Sequence, residues 1–255
     1  MSTDAHQPQG WPAAYDRIVL DEAPSTMTEA RARAPSLSRP AWIMAHRQTA
    51  GRGRRGRAWA DPPGNFAATL VLREDDPRRA ALRSFVAALA LYDTVAVLGA
   101  RPEGLGLKWP NDVLLNGGKL AGILLESLPG GALAIGVGVN LRHAPEPERL
   151  EQGALRPVAL LHETGAAVPP EAFLDHLASA FDMREGQFAT FGFAPIRTAW
   201  LDRAARIGQP LTARIGPREV TGTFETVDEA GNLILRTPRG REAIAAADVY
   251  FPEGV

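Results

Sequence analysis

The 255-residue chain has no cysteine, almost no net charge and few aromatic residues. Without cysteine there is no disulfide framework, no thiolate metal site and no cysteine nucleophile. A formal net charge of −1 argues against a bulk nucleic-acid binder, which shows a broad basic face. The first twenty residues lack a basic start followed by an apolar run. No later stretch reads as long enough to cross a bilayer, so a cytoplasmic protein without membrane contact is expected. The five histidines, His6, His46, His143, His162 and His176, show no metal-ligand spacing. A Gly-x-Ser-x-Gly nucleophile elbow is missing, and "NGGKL" fails as a phosphate loop because Leu120 stands where Ser or Thr should hold a metal.

What remains is an ordinary folded composition, 45% hydrophobic and 22% charged, enough to bury a sizeable core. The pattern predicts a polar, flexible N-terminus over 1–14, a mixed α+β domain over 15–205 and a small all-β domain over 206–255. Residues 15–23 read as a strand, and Thr26-x-x-Glu29 has capping-box spacing that opens a helix. Strands are expected at "PAWIMAHRQ" and "NFAATLVLR". Asp76 caps a helix with Pro77 at its first position, closed by Gly99. Asn116-Gly117 between two apolar runs is a strong hairpin signal. "GALAIGVGVNL" alternates Leu133, Ile135, Val137 and Val139 with small residues, and Pro169-Pro170 opens a helix that aligns Phe173, Leu177 and Phe181. A last helix is expected in "APIRTAWLDRAAR". After Arg206, about five short runs between turns suggest a small closed barrel.

The densest local signal is "AGRGRRGRAW", where Gly51, Gly53 and Gly56 separate Arg52, Arg54, Arg55 and Arg57. Glycine–arginine alternation offers backbone N–H groups and guanidinium forks to an anion. Ordering seven such residues costs on the order of 10 kcal/mol. A loop of this kind is expected to stay mobile until a phosphate-bearing ligand closes it as a lid. Other residues carry two readings each. Lys108 and Lys119 are solvated lysines or phosphate partners. Asn111-Asp112 is an Asx-turn, or Asp112 is a hard oxygen ligand for Mg²⁺. Ser25 and Thr26 cap a helix or meet an anion at its N-terminus. Trp59 is packing or a stacking surface, and Asn140 ends a strand or faces a ligand.

Taken in order, "STMTEA", "RQTAGRGRRGRAW", "KWPNDVLLNGGKLAGILLE" and "GVGVNL" resemble the bacterial biotin protein ligases, from about Tyr15 to Phe251. The resemblance implies a mixed β-sheet flanked by helices, followed by an SH3-like β-barrel. It implies that biotin and MgATP form biotinyl-5′-adenylate, which a lysine of a biotin carboxyl carrier protein of acetyl-CoA carboxylase or a related carboxylase then attacks. Carried onto matching positions, Ser25, Thr26, Gln48, Gly51, Arg52 and Lys119 hold biotin. Arg54 and Arg55 close over the adenylate, with Trp59 against the adenine. Lys108, Asn111 and Asn140 line the nucleotide side, Asp112 holds the metal, and Lys119, Arg54 and Arg52 form the catalytic set. Met27 departs from the asparagine usual after Ser-Thr. No helix-turn-helix fits ahead of the first strand, so a monofunctional ligase without specific DNA binding is expected; a homodimer is left open. The rival readings are a lipoate or octanoate ligase on the same scaffold and an RNA-binding module using the Arg-Gly loop.

Overall fold

The computed structural model describes residues 10–145 and 155–251. A seven-stranded mixed sheet is built from β1 (Asp16–Ala23), β2 (Ala41–Gln48), β3 (Phe66–Arg73), β4 (Leu105–Lys108), β5 (Asp112–Leu115), β6 (Gly118–Leu128) and β7 (Ala132–Val139). Its order is β1-β2-β3-β7-β6-β5-β4, with β1 and β2 parallel and every other pair antiparallel. The helices are α1 (Thr26–Arg33), α2 (Pro77–Val97), α3 (Leu160–Thr164), α4 (Pro170–Phe191) and α5 (Phe193–Leu201). A five-stranded antiparallel sheet follows: β8 (Pro210–Ile215), β9 (Arg218–Val227), β10 (Leu233–Thr237), β11 (Gly240–Ile244) and β12 (Asp248–Tyr250), in the order β11-β10-β9-β8-β12.

Side-chain parity divides the large sheet. On β7 the large residues Leu133, Ile135, Val137 and Val139 enter the main core with α2 and α4. Ala132 and Ala134, on the opposite parity, join Met27, Ala30 and Ala34 of the α1 segment in a smaller core. Successive strand side chains point to opposite faces, so Gly136 and Gly138 continue this second row. The helix α1 has only eight residues, about 12 Å of axis, and covers one end of that face. The glycines beyond it face a cavity.

Local chemistry explains the element ends. Asp76 caps α2 by accepting from the Arg78 N–H at 2.9 Å, with Pro77 in the first turn. Asn116 and Gly117 have φ of 48° and 77°, the double positive φ of a type I′ hairpin. At α1 the cap is Ser25 and not Thr26: the Ser25 Oγ accepts from the Thr28 N–H at 3.0 Å. The expected Thr26–Glu29 capping box is replaced by this single cap, Glu29 pairs with Arg33, and Thr26 is left for another contact. The strand β4 and helix α3 were not expected; both are shorter than a periodicity signal can mark.

By length and composition α2 could cross a bilayer, contrary to the sequence expectation. It is largely buried between the sheet, α4 and α5, as the core helix of a folded domain is. Trp200 of α5 links α2 to the second sheet, packing edge-on against Phe85 (5.2 Å) and Phe224 of β9 (6.5 Å), and one apolar core contains residues of both sheets. Residues 203–205 also hydrogen-bond across Leu107 and cover the edge of β4.

Candidate active site

A cavity of about 600 Å³ lies over the glycine row of β6 and β7. It is lined by Ser25, Thr26, Gln48, Arg52, Arg54, Trp59, Lys108, Asn111, Asp112, Lys119 and Asn140. Eleven of the thirteen expected site residues thus meet in one place. Gly51 and Arg55 do not line it themselves, but each adjoins a residue that does, Gly51 beside Trp59 and Arg55 on Asp248. A second cavity of about 500 Å³, near Tyr15, Arg39 and Arg83, holds none of them.

At the helix end, the backbone N–H of Thr26 donates to Gln48 Oε1 at 2.9 Å, and the buried Thr69 hydroxyl donates to Thr26 Oγ1 at 2.8 Å. Ser25 Oγ shares a 2.8 Å hydrogen bond with Thr28 Oγ1, which also accepts from Arg52 at 3.3 Å. Asp61 Oδ2 accepts from the Gln48 backbone N–H, and burial pushes the Asp61 carboxyl above its ordinary value. Thr28, Thr69 and Asp61 went unread in the sequence. Of these only Thr69, a polar residue inside "FAATLVL", left a signal. Met27 is buried with its sulfur against Gly136, where an added Cβ would come within 2.9 Å.

The lysines come next. Lys108 ends β4, Asp112 begins β5 and Lys119 follows the hairpin, so three ladder positions bring one carboxylate to two ammonium groups. Asp112 Oδ1 lies 2.7 Å from Lys119 Nζ, and Oδ2 lies 3.7 Å from Lys108 Nζ. Burial works against the Asp112 charge, yet Lys119 and Lys108 outweigh it and hold the carboxyl below its usual range. Burial lowers the Lys108 ammonium despite Asp112. The residues present do not fit a Mg²⁺ site at Asp112. Its oxygens already face two cations, and a third at contact distance would be repelled.

The arginine segment has more shape than its composition suggests. Gly53 N donates to Arg57 O, Trp59 N donates to Gly51 O, and Arg54–Gly56 form a single 3₁₀ turn. This is a small hairpin whose tip reaches the second sheet. Arg55 and Arg57 bind Asp248 at 2.5 and 2.9 Å, and Arg54 donates to Ala247 O at 3.2 Å and to Asn111 Oδ1 at 3.3 Å. Burial lowers the Arg54 guanidinium, opposed by Asp248 and Asp112. In this conformation the loop is held by its own hydrogen bonds and by its contacts with Ala247 and Asp248.

The floor explains the glycines. Trp59 lies on β6 and β7 so closely that a Cβ on Gly138 would stand 2.5 Å from the indole, and one on Gly122 3.3 Å. A Cβ on Gly51 would meet Trp59 O at 2.9 Å. Lys119 Nζ lies 6.0 Å from the Trp59 ring centroid. Among the described residues, the buried Trp59 Nε1 and Asn140 Oδ1 find no hydrogen-bond partner, one donor and one acceptor beside the same cavity. The whole arrangement offers cations, a flat apolar floor and unmet polar atoms, while the Ser25 and Thr26 hydroxyls are already hydrogen-bonded.

Residues 19–141 match the model of the biotin/lipoate A/B protein ligase family, and residues 207–251 match that of the biotin protein ligase C-terminal domain. A biotin–[acetyl-CoA-carboxylase] ligase of Paracoccus denitrificans is 55% identical over 238 residues, 91% of this chain and 99% of that protein. A bifunctional ligase/repressor of Bacillus subtilis is 33% identical over 81% of this chain, which spans 65% of that longer protein. Among solved structures, the biotin protein ligase of Aquifex aeolicus in complex with biotin and ATP shares the fold. Its TM-score is 0.78 at 24% identity, covering 92% of this chain and 98% of that one.

Proposed function

The chain belongs to the biotin/lipoate A/B protein ligase family, and on that premise we infer that it is a biotin–protein ligase acting on acetyl-CoA carboxylase. It joins the carboxylate of biotin to the α-phosphorus of ATP, releasing pyrophosphate. The ε-amine of a carrier lysine then attacks the acyl carbon of biotinyl-5′-adenylate, forming an amide and releasing AMP. Neither step needs a protein nucleophile.

One observation carries the reading: a single cavity gathers Lys108, Lys119 and Arg54 around a flat floor. The first step brings two anions together, so cations held where charge accumulates are its main requirement. Lys119 is the group between the biotin carboxylate and the α-phosphate. Asp112 orients Lys119 and Lys108 as their shared counter-ion. The Ser25, Thr26 and Gln48 cluster suits the two N–H groups and one carbonyl of a ureido ring, with Arg52 and Gly51 closing that end. Trp59, Asn111 and Asn140 suit the purine and ribose side. A cytoplasmic location fits both ATP and a carboxylase subunit.

Isotope exchange between pyrophosphate and ATP tests this. Exchange with biotin, and at most a tenth as much with lipoate or octanoate, is expected. Equal exchange with lipoate would place the chain in the other branch of the family. No exchange with any acid would remove the ligase reading.

A further inference from the structure

The tip of the arginine hairpin and the start of β12 lie more than 190 residues apart in sequence and meet at one carboxylate. Asp248 is only 9% exposed, and Arg55 (2.5 Å), Arg57 (2.9 Å) and Arg54 (3.8 Å) all converge on it. Three guanidinium groups thus meet at one carboxylate. Each guanidinium carries five N–H donors and a carboxylate accepts about four hydrogen bonds, so Asp248 alone cannot occupy the donors of Arg54 and Arg55. It can orient the tip without consuming the positive charge a phosphate would meet. The backbone points the same way. Arg55 has φ +56°, a left-handed conformation unfavourable to a side-chain-bearing residue, and such conformations persist where surrounding contacts over-determine them. The residue held there is the one that contacts Asp248 most closely.

We propose that Asp248 is a positioning residue for adenylate retention: the second sheet clamps the hairpin tip, holding Arg54 beside Asn111 at the cavity mouth. The C-terminal sheet then takes part in the first half-reaction through this carboxylate. The inference rests on the ligase reading above. It requires the contacts to be cooperative with the ligand, because a clamp that competed with phosphate would hasten binding when removed.

The test uses the full chain, with labelled biotinyl-adenylate formed from biotin and MgATP and its escape followed after an unlabelled chase. Asp248→Asn, which keeps shape and loses charge, should speed escape tenfold or more, with a smaller effect on the rate of formation. Asp248→Glu should recover much of the retention. Arg55→Gln should speed escape in the same direction, and the double variant should be little worse than Asp248→Asn alone, because the Arg55 contact runs through that carboxylate. That non-additivity separates positioning from general loss of stability. If Asp248→Asn does not fold, Arg55→Gln and Arg57→Gln probe the same clamp from the loop side. Escape within twofold of the parent, slower escape, or additive effects would overturn the proposal. A parent enzyme that makes no adenylate would overturn the ligase reading instead.

Discussion

Lys119 sits where two demands on one ammonium meet. It faces the cavity, and it is the nearer of two cations holding Asp112 ionised. Lys119→Met keeps the length and removes the charge. Losing a cation at a transferring group costs about 3 kcal/mol or more, so single-turnover adenylate formation should fall by roughly a hundredfold or more. The same change leaves Asp112 with only Lys108 at 3.7 Å. Because the Lys119 side chain is 34% exposed, its loss should cost stability less than a fully buried pair does, about 1–3 kcal/mol, read as a lower Tm. Adenylation within twofold of the parent would move Lys119 out of the reacting centre. The lysine was visible in the sequence as a residue after a tight turn. That it answers to Asp112 was not, because the pairing depends on the register of β5 with β6.

At the scale of elements, β6 and β7 act through the side chains they omit. Gly122 and Gly138 are register partners, and together they let an indole lie flat on the backbone. Gly138→Ala adds a methyl 2.5 Å from that ring, closer than any real contact, so Trp59 must move. The strand can carry alanine, and Trp59 belongs to a loop, so the cost should fall on the site more than on the fold. The expected outcome is a KM for ATP or biotin raised at least tenfold, with Tm lowered by only a few degrees. An unchanged KM would mean that Trp59 is packing alone. The alternation of large and small residues in "GALAIGVGVNL" was legible as a strand, and it also carried the site. The small residues read as spacers, and only the sheet's parity turned them into a floor.

For the molecule as a whole, the buried carboxylate links stability to pH. Asp112 has a folded-state pKa below its unfolded value, about 3.9 for a model aspartate. The unfolded chain therefore binds the proton first on acidification. The contribution is fully present above roughly pH 4 to 5 and is lost as pH falls through the folded value. Asp112→Asn should be less stable than the parent at pH 7, with the gap narrowing below pH 4. Tm against pH for both proteins measures this, and a constant gap would show that Asp112 carries no such linkage.

The order of helices and strands apart from β4 and α3, the capped α2, the Asn-Gly hairpin and the ligase motifs were all determined by the sequence alone. Each rests on residues close together in the chain, where periodicity, caps and turn chemistry act. Tertiary structure decided the rest. It turned Asp112 toward two lysines and buried α2 within a folded core. It also set Asp248 against a loop more than 190 residues away. Nothing in "AAADVYF" marks that aspartate, because a carboxylate gains its partner only when two sheets share one core.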